Sequence, residues 1–248
     1  DLHSFPTRRS SDLLSLPWFT LNVPTSESPV EPIDPILLRE AEMLTSSHSS
    51  IEAMPATADL REAAVVAVIG PRERTIPMTR ALVMQLAAHQ LPEDLELAAA
   101  FPVEHARDWR GFDLLPHVHD PNLFDGPVPA RRVAPTLDAL SDILASEMTE
   151  RSAAATAARR RGGQAEELSR LVVISDDHGH PASGLRHPDQ TLHHRDLEVT
   201  VVHLLDDRLD EPDDVDIRID LRDEATITHG ARGTEPSTTN LTDRKSVV

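Results

Sequence analysis

The stretch that most constrains this chain is Ala64–His89, AVVAVIGPRERTIPMTRALVMQLAAH. Val65–Ile69 is wholly apolar and rich in β-branched residues, the pattern of a strand buried on both faces of a parallel sheet. Gly70 ends that run. A polar turn then leads into a helix expected to begin near Met78, with Pro77 suited to its first position. Leu82, Val83, Leu86 and Ala87 give this helix one apolar stripe to lay on the sheet. Leu95–Phe101 supplies the next strand, so the whole reads as a βαβ unit, expected to be right-handed.

Strand, glycine turn and helix are also the layout of a phosphate-binding P-loop, G-x-x-x-x-G-K-[ST]. In register from Gly70, the second glycine falls on Thr75, the lysine on Ile76 and the hydroxyl residue on Pro77. The lysine of that motif neutralises phosphate charge and the hydroxyl ligates magnesium. Ile76 and Pro77 can do neither. Arg72 and Arg74 stand where a helix N-terminus meets an anion, but a solvent-facing turn is the favoured reading. Gly70 is therefore a vestigial P-loop position. No bound cofactor, no catalytic residue and no metal ligand is expected in the chain.

Further along, Leu171–Asp176 (LVVISD) has the apolar-strand-then-acid form of a Walker B motif. Beside a P-loop without its lysine, Asp176 reads as the vestige of a nucleoside triphosphatase core rather than as a metal site. Seven histidines fall between His178 and His229, and His178, His180, His187, His193 and His194 crowd one polar loop. His-x-His spacing suits zinc, but no helical spacing fixes a tetrahedral set, so a solvated loop is expected over 178–194. Asp108, Trp109, His117 and His119 hint at an acid–base pair without a nucleophile beside it. Trp109, Phe112 and Leu115 are expected to pin their long loop to the core.

The remaining elements are read in order. Trp18–Val23 is a short strand followed by a Pro/Ser linker, and Pro35–Leu44 a short helix. Ala56–Leu60 is an edge strand and Asp108–Pro129 a long connection. Arg131–Ala134 is another short strand. Pro135–Arg160 is one long helix whose second half, Ala153–Arg161, projects into solvent. Val199–Leu204 is a buried strand, and Val215–Leu221 with Ala225–Thr228 is a closing antiparallel pair. Beyond Gly230 the composition suggests disorder. Strands alternating with helices give an α/β fold, a mostly parallel sheet flanked by helices on both faces, with a degenerate P-loop core.

Charge and composition narrow the function. With 24 basic against 42 acidic residues the net charge is −18, which argues against broad contact with nucleic acid. The chain has no cysteine, hence no thiolate zinc site, and no apolar run approaches the ~20 residues that cross a bilayer. Residues 1–13 (DLHSFPTRRSSDL) resemble a translated sequencing-library adapter. Residues 242–248 (TDRKSVV) resemble the same adapter in the opposite sense. The native segment is therefore expected at Leu14–Leu241, cut from a longer gene, with 14–55 leading into an α/β domain over 56–229.

Four stretches in this order resemble the EccC proteins of actinobacterial type VII secretion, membrane motors of the FtsK/SpoIIIE class. They are AVVAVIGPRERTIPMTRALVMQLAAHQLPEDLELAAAF, DWRGFDLLPHVHDP, LVVISDDHG and VTVVHLLDDRLDEPDDVDIRI. The resemblance implies a RecA-like fold and the degenerate ATPase-like domain that follows the family's membrane helices. It implies a non-catalytic coupling role on the cytoplasmic side of the cell membrane, beside other secretion-channel subunits and downstream ATPase modules. It further implies that ATP and magnesium serve those modules, and that WXG-type proteins are the exported substrates. Two other readings stand beside it: a nucleotide- or metal-dependent α/β enzyme, and an FtsK-like DNA-translocase domain.

Overall fold

The structure, a computed structural model, describes residues 57–161, 168–223, 225–230 and 237–241, together with 35–37, 39, 40 and 43. The chain divides between Met54 and Pro55. In the first unit the described residues are helical, inside the span expected for a short helix. The strand expected at Trp18–Val23 and the adapter-like ends lie outside the described residues.

In the second unit the strands are β1 (Val65–Ile69), β2 (Leu95–Ala100), β3 (His119–Asp125), β4 (Val128–Arg131), β5 (Val133–Ala134), β6 (Arg170–Asp176), β7 (Val199–Leu205), β8 (Ile217–Asp220), β9 (Thr226–His229) and β10 (Ser237–Asn240). The helices are α1 (Arg72–His89), α2 (Leu137–Ile143) and α3 (Ala145–Arg161). One eight-stranded sheet runs β10–β9–β8–β1–β7–β6–β2–β5, and β3 with β4 forms a separate hairpin. From β8 to β5 every neighbouring pair is parallel. The β8–β9 and β9–β10 pairs are antiparallel. This is the α/β architecture expected, compatible with a RecA-like core.

Alternation along the strands decides which side chains meet which helix. Val66, Val68, Leu97, Ala99, Val172, Ile174, Val202 and Leu204 share one face, covered by Ile76 and Val83 of α1. Ala98, Ala100, Leu171, Val173, Val199 and Val201 face Leu137, Leu140, Leu144 and Met148 of the α2–α3 segment. The first crossover runs from β1 out to β2 and the next returns towards β6. Right-handed connections in opposite directions place their helices on opposite faces. The central strands are thus buried twice over, which is why they read as unbroken apolar runs.

Several expected boundaries are corrected. α1 begins at Arg72, directly after an extended Pro71, and Pro77 lies inside it rather than at its start. No P-loop-length turn separates β1 from α1. Residues 57–62 form coil and turn, not an edge strand. The long connection after Asp108 contains two 3₁₀ turns and the β3–β4 hairpin, and the strand expected at 131–134 is divided between β4 and β5. The long helix is broken at Leu144, yet the Leu144 N–H bonds Leu140 O and the Met148 N–H bonds Leu144 O, so its apolar face continues. The second half of α3 does not project, because Ala155 and Ala158 are buried and Arg159 pairs with Asp196 at 2.8 Å. Past Gly230, where disorder was expected, β10 extends the sheet.

A buried ion network anchors α3. Arg151 donates to Glu147 Oε1 at 2.8 Å, to Glu96 Oε2 at 3.1 Å and to the Ser169 carbonyl at 2.7 Å. Arg132, equally buried, lies 3.4 Å from Glu96 and 3.2 Å from Glu147. Charges this deep are tolerated only when paired.

Candidate functional site

In open α/β sheets ligands bind outside the carboxyl ends of the strands. Here the ends of β1, β6 and β7 bring Gly70, Asp176 and Leu205 to one edge. Gly70 has φ +145°, a conformation that L side chains rarely adopt. A Cβ there would stand 3.0 Å from the Leu221 carbonyl carbon. The missing side chain serves close backbone packing against the segment after β8. The Gly70 N–H bonds Leu205 O at 2.9 Å. Arg74, in the first turn of α1, donates to the carbonyls of Leu221, Arg222 and Asp223. Its guanidinium fixes the helix start to the β8 end.

Arg72 does the same on the other side. As the first residue of α1 it reaches the fully buried carboxylate of Asp176. Its Nη1 and Nη2 donate to Oδ1 and Oδ2, each at 2.8 Å. This is the bidentate fork that gives guanidinium–carboxylate pairs their directionality. Nε and Nη2 also hold Asp108 Oδ2 at 3.0 and 2.9 Å. Trp109 Nε1 donates to Asp176 Oδ2 at 2.9 Å. His178 Nδ1 lies 2.9 Å from Asp176 Oδ1, and its Nε2 lies 2.9 Å from Thr75 Oγ1. Those two contacts hold the imidazole between the carboxylate and the threonine hydroxyl. His105 Nδ1 stands 3.3 Å from Asp176 Oδ2.

The electrostatics follow from that shell. Burial alone would push the Asp176 carboxyl up. Hydrogen bonds from His178, Arg72 and Trp109, with the Arg72 charge, outweigh burial and hold it far below the usual carboxylate range. The hydrogen bond to Asp176 in turn raises Arg72, against the cost of its own burial. Each oxygen of Asp176 already accepts two hydrogen bonds. As built, the acid in the Walker B-like position is an acceptor hub for its own protein.

The residues singled out in the sequence divide accordingly. Arg72, expected in a solvent-facing turn, is a partly buried member of the hub, and the anions it meets are Asp176 and Asp108. Asp108 and Trp109 join it too. His117 and His119 do not: they bond the carbonyls of Gln90 and Asp113 at 2.9 and 3.3 Å. Trp109 and Phe112 are buried as expected, and Trp109 stacks on Phe101 with ring centroids 5.9 Å apart. The histidine-rich loop is corrected in part. His180 and His193 are exposed, but His178 is in the hub. His194 donates to Leu185 O at 3.0 Å and packs edge-on against His187 at 5.1 Å. Among the described residues no group of three or more His, Asp and Glu side chains is arranged to hold a metal ion. Sequence reasoning missed His105 and Thr75, whose only signal is proximity created by the fold.

Fold and hub together define an α/β domain, compatible with a RecA-like core, whose strand-end acid is bound by an arginine of its own first helix. No protein-family model matches the chain. Over 129 residues it is 28% identical to the ESX secretion system protein EccC of Thermomonospora curvata, covering 52% of this chain and 10% of that protein. It is 28% identical over 157 residues to the ESX-3 secretion system protein EccC3 of Mycobacterium tuberculosis, covering 63% and 11%. Against the ESX-4 secretion system protein EccC4 of the same species it is 27% identical over 151 residues, covering 61% and 12%. The resemblance to EccC proteins drawn from the sequence is borne out, and the chain spans about a tenth of the length of these relatives.

Proposed function

We propose that this chain is a non-catalytic coupling module of a type VII secretion motor, linking the membrane channel to downstream ATPase modules during protein export. The observation that carries this reading is the Arg72–Asp176 pair. The acid that would organise magnesium is saturated by protein donors, and β1 passes into α1 without the loop that would wrap a phosphate. ATP and magnesium are assigned to the downstream modules, and WXG-type proteins are the substrates of the whole motor. The module lies on the cytoplasmic side of the membrane; no described helix is long and apolar enough to cross one. The similarity to EccC proteins supports the secretion setting, and the −18 charge disfavours a DNA-translocating role.

The test uses a full-length motor that contains this segment. Arg72→Ala is expected to reduce export while ATP turnover per motor persists, since the pair shapes the module and not the chemistry. Loss of turnover in parallel with export would refute the division of labour.

A further inference from the structure

Five ionisable side chains meet between β2, the base of the β3–β4 hairpin and α3. The guanidiniums are Arg132 and Arg151, both buried. The carboxyl groups are Glu96, Glu147 and Asp120, so with every group ionised three negative charges face two positive ones. Both cations share Glu96 Oε2, which lies 3.1 Å from Arg151 Nη2 and 3.4 Å from Arg132 Nη2. Asp120 is held more loosely, with Oδ2 3.8 Å from the same Arg132 Nη2. Arg132 Nε stands 3.2 Å from Glu147 Oε2, without the alignment of a hydrogen bond. That oxygen is buried and, with all carboxyl groups ionised, has no hydrogen-bond donor among the described residues. Glu96 lies within hydrogen-bonding reach of Glu147. An excess negative charge and an orphaned acceptor share one remedy, a proton held between Glu96 and Glu147. It balances the charges at two against two and gives Glu147 Oε2 a donor.

We infer that this shared proton is a switch for the β3–β4 hairpin, and that its loss draws Arg132 onto Glu96 and releases Asp120. Asp120 is the joint between the network and the hairpin. Its Oδ2 faces Arg132, while its Oδ1 accepts the Asn122 and Leu123 N–H groups at 2.8 and 3.3 Å, an Asx-type turn leading to the tip. Arg132 Nη1 also donates to the His119 carbonyl at 3.0 Å, so one guanidinium holds both residues at the start of β3. Coulomb attraction falls with distance, and an ionised Glu96 at 3.4 Å outcompetes Asp120 at 3.8 Å for that cation. The charged groups facing Glu96 are Glu147 and Arg151 of α3 and Arg132 before β5. Burial and Glu147 push Glu96 up, while the two arginines oppose them, which sets the loss of the proton above the ordinary glutamate value of ~4.3. Below that transition the hairpin base is clamped. Above it the base is free to move, and with it the exposed Leu123 and Phe124 at the tip. The switch does not depend on the coupling role proposed above.

The experiment is an NMR titration of the 248-residue chain that follows the glutamate carboxyl carbons together with the Asn122 and Leu123 amides. In the parent, Glu96 should titrate above ~4.3, and both amides should shift with the same midpoint. Glu96→Gln still donates to Glu147 but cannot ionise, so that step should vanish from both amides, and a melting temperature no lower than the parent's verifies the fold. Asp120→Asn keeps the turn acceptor and removes the charge that faces Arg132. In that variant Glu96 should still titrate while the amides no longer follow it. Amide steps that persist in Glu96→Gln would belong to Asp120 itself and would overturn the proposal. A parent in which Glu96 titrates at or below ~4.3, or in which the two amides stay still while it titrates, would overturn it as well.

Discussion

Arg72 and Asp176 meet through two parallel 2.8 Å hydrogen bonds, although β7 lies between the strands they follow. The arginine spans the strand end that a bound phosphate would occupy in a working nucleotide site. Its reach is set by α1 starting immediately after Gly70–Pro71. A longer loop would carry Arg72 away from β6 and open the crevice.

Breaking this pair should be costly from either side. Arg72→Ala leaves a fully buried carboxylate without its charge partner, a loss of about 3 kcal/mol, the low end for buried pairs because Arg72 is a quarter exposed. The double variant Arg72→Ala/Asp176→Ala should be less destabilised than the sum of the singles, with a coupling of about 1–3 kcal/mol in urea melts. Additive effects would show that the two residues do not act as a unit.

Glu96 and Glu147 should respond oppositely to neutralisation. Burial pushes Glu96 up, helped by the hydrogen bond and charge of Glu147. Burial acts on Glu147 in the same sense, but its hydrogen bond with Glu96 and the charges of Arg151 and Arg132 outweigh it and hold Glu147 down. A carboxyl raised in the fold costs stability as pH climbs from its unfolded value of ~4.3 towards its folded one. A depressed one contributes stability above ~4.3 that is lost in acid. At neutral pH, Glu96→Gln should hold or slightly raise the melting temperature. Glu147→Gln should cost about 1–3 kcal/mol. The reverse order in thermal melts would contradict the assignment.

The 178–198 loop should weaken in mild acid. Burial lowers His194, and the charges of His187, His203 and His193 push the same way, while its bond to the Leu185 carbonyl opposes them. A histidine held neutral in the fold contributes fully above its unfolded value of ~6.5, and that contribution fades as pH falls from there through the folded value. Limited proteolysis within the loop should therefore accelerate between about pH 7 and pH 5.5. His194→Gln should flatten the dependence, and an unchanged profile in that variant would refute this role.

Gly70→Ala tests the close approach of β1's end to the β8 end. Both the positive φ and the 3.0 Å clash with Leu221 oppose a side chain, so a loss of about 1–3 kcal/mol is expected. A neutral effect in chemical denaturation would mean that the glycine is not required there.

Much of the sheet was legible because burial on both faces writes itself as apolar runs, as at Val65–Ile69, Leu171–Ile174 and Val199–Leu204. The α1 start was not, because Pro77 suggested a helix beginning after it. Arg72 and Arg74, tied to Asp176 and to the 221–223 carbonyls, hold the earlier turn in helical form. Tertiary anchors overrode the local signal. β10 was hidden for a related reason: a polar STTN segment becomes a strand only where β9 offers an edge. The hub was half legible. Asp176 stood out at the end of its strand, but its partner lies 104 residues away in sequence, and nothing local in Arg72 announces a buried carboxylate.

The central claim is that the arginine-bound acid leaves this domain without nucleotide chemistry. The most direct measurement is magnesium-dependent ATP binding and turnover by the purified chain, alongside its Asp176→Asn variant. The account predicts no saturable binding and no turnover above background in either protein. Hydrolysis by the parent chain that disappears in Asp176→Asn would contradict it.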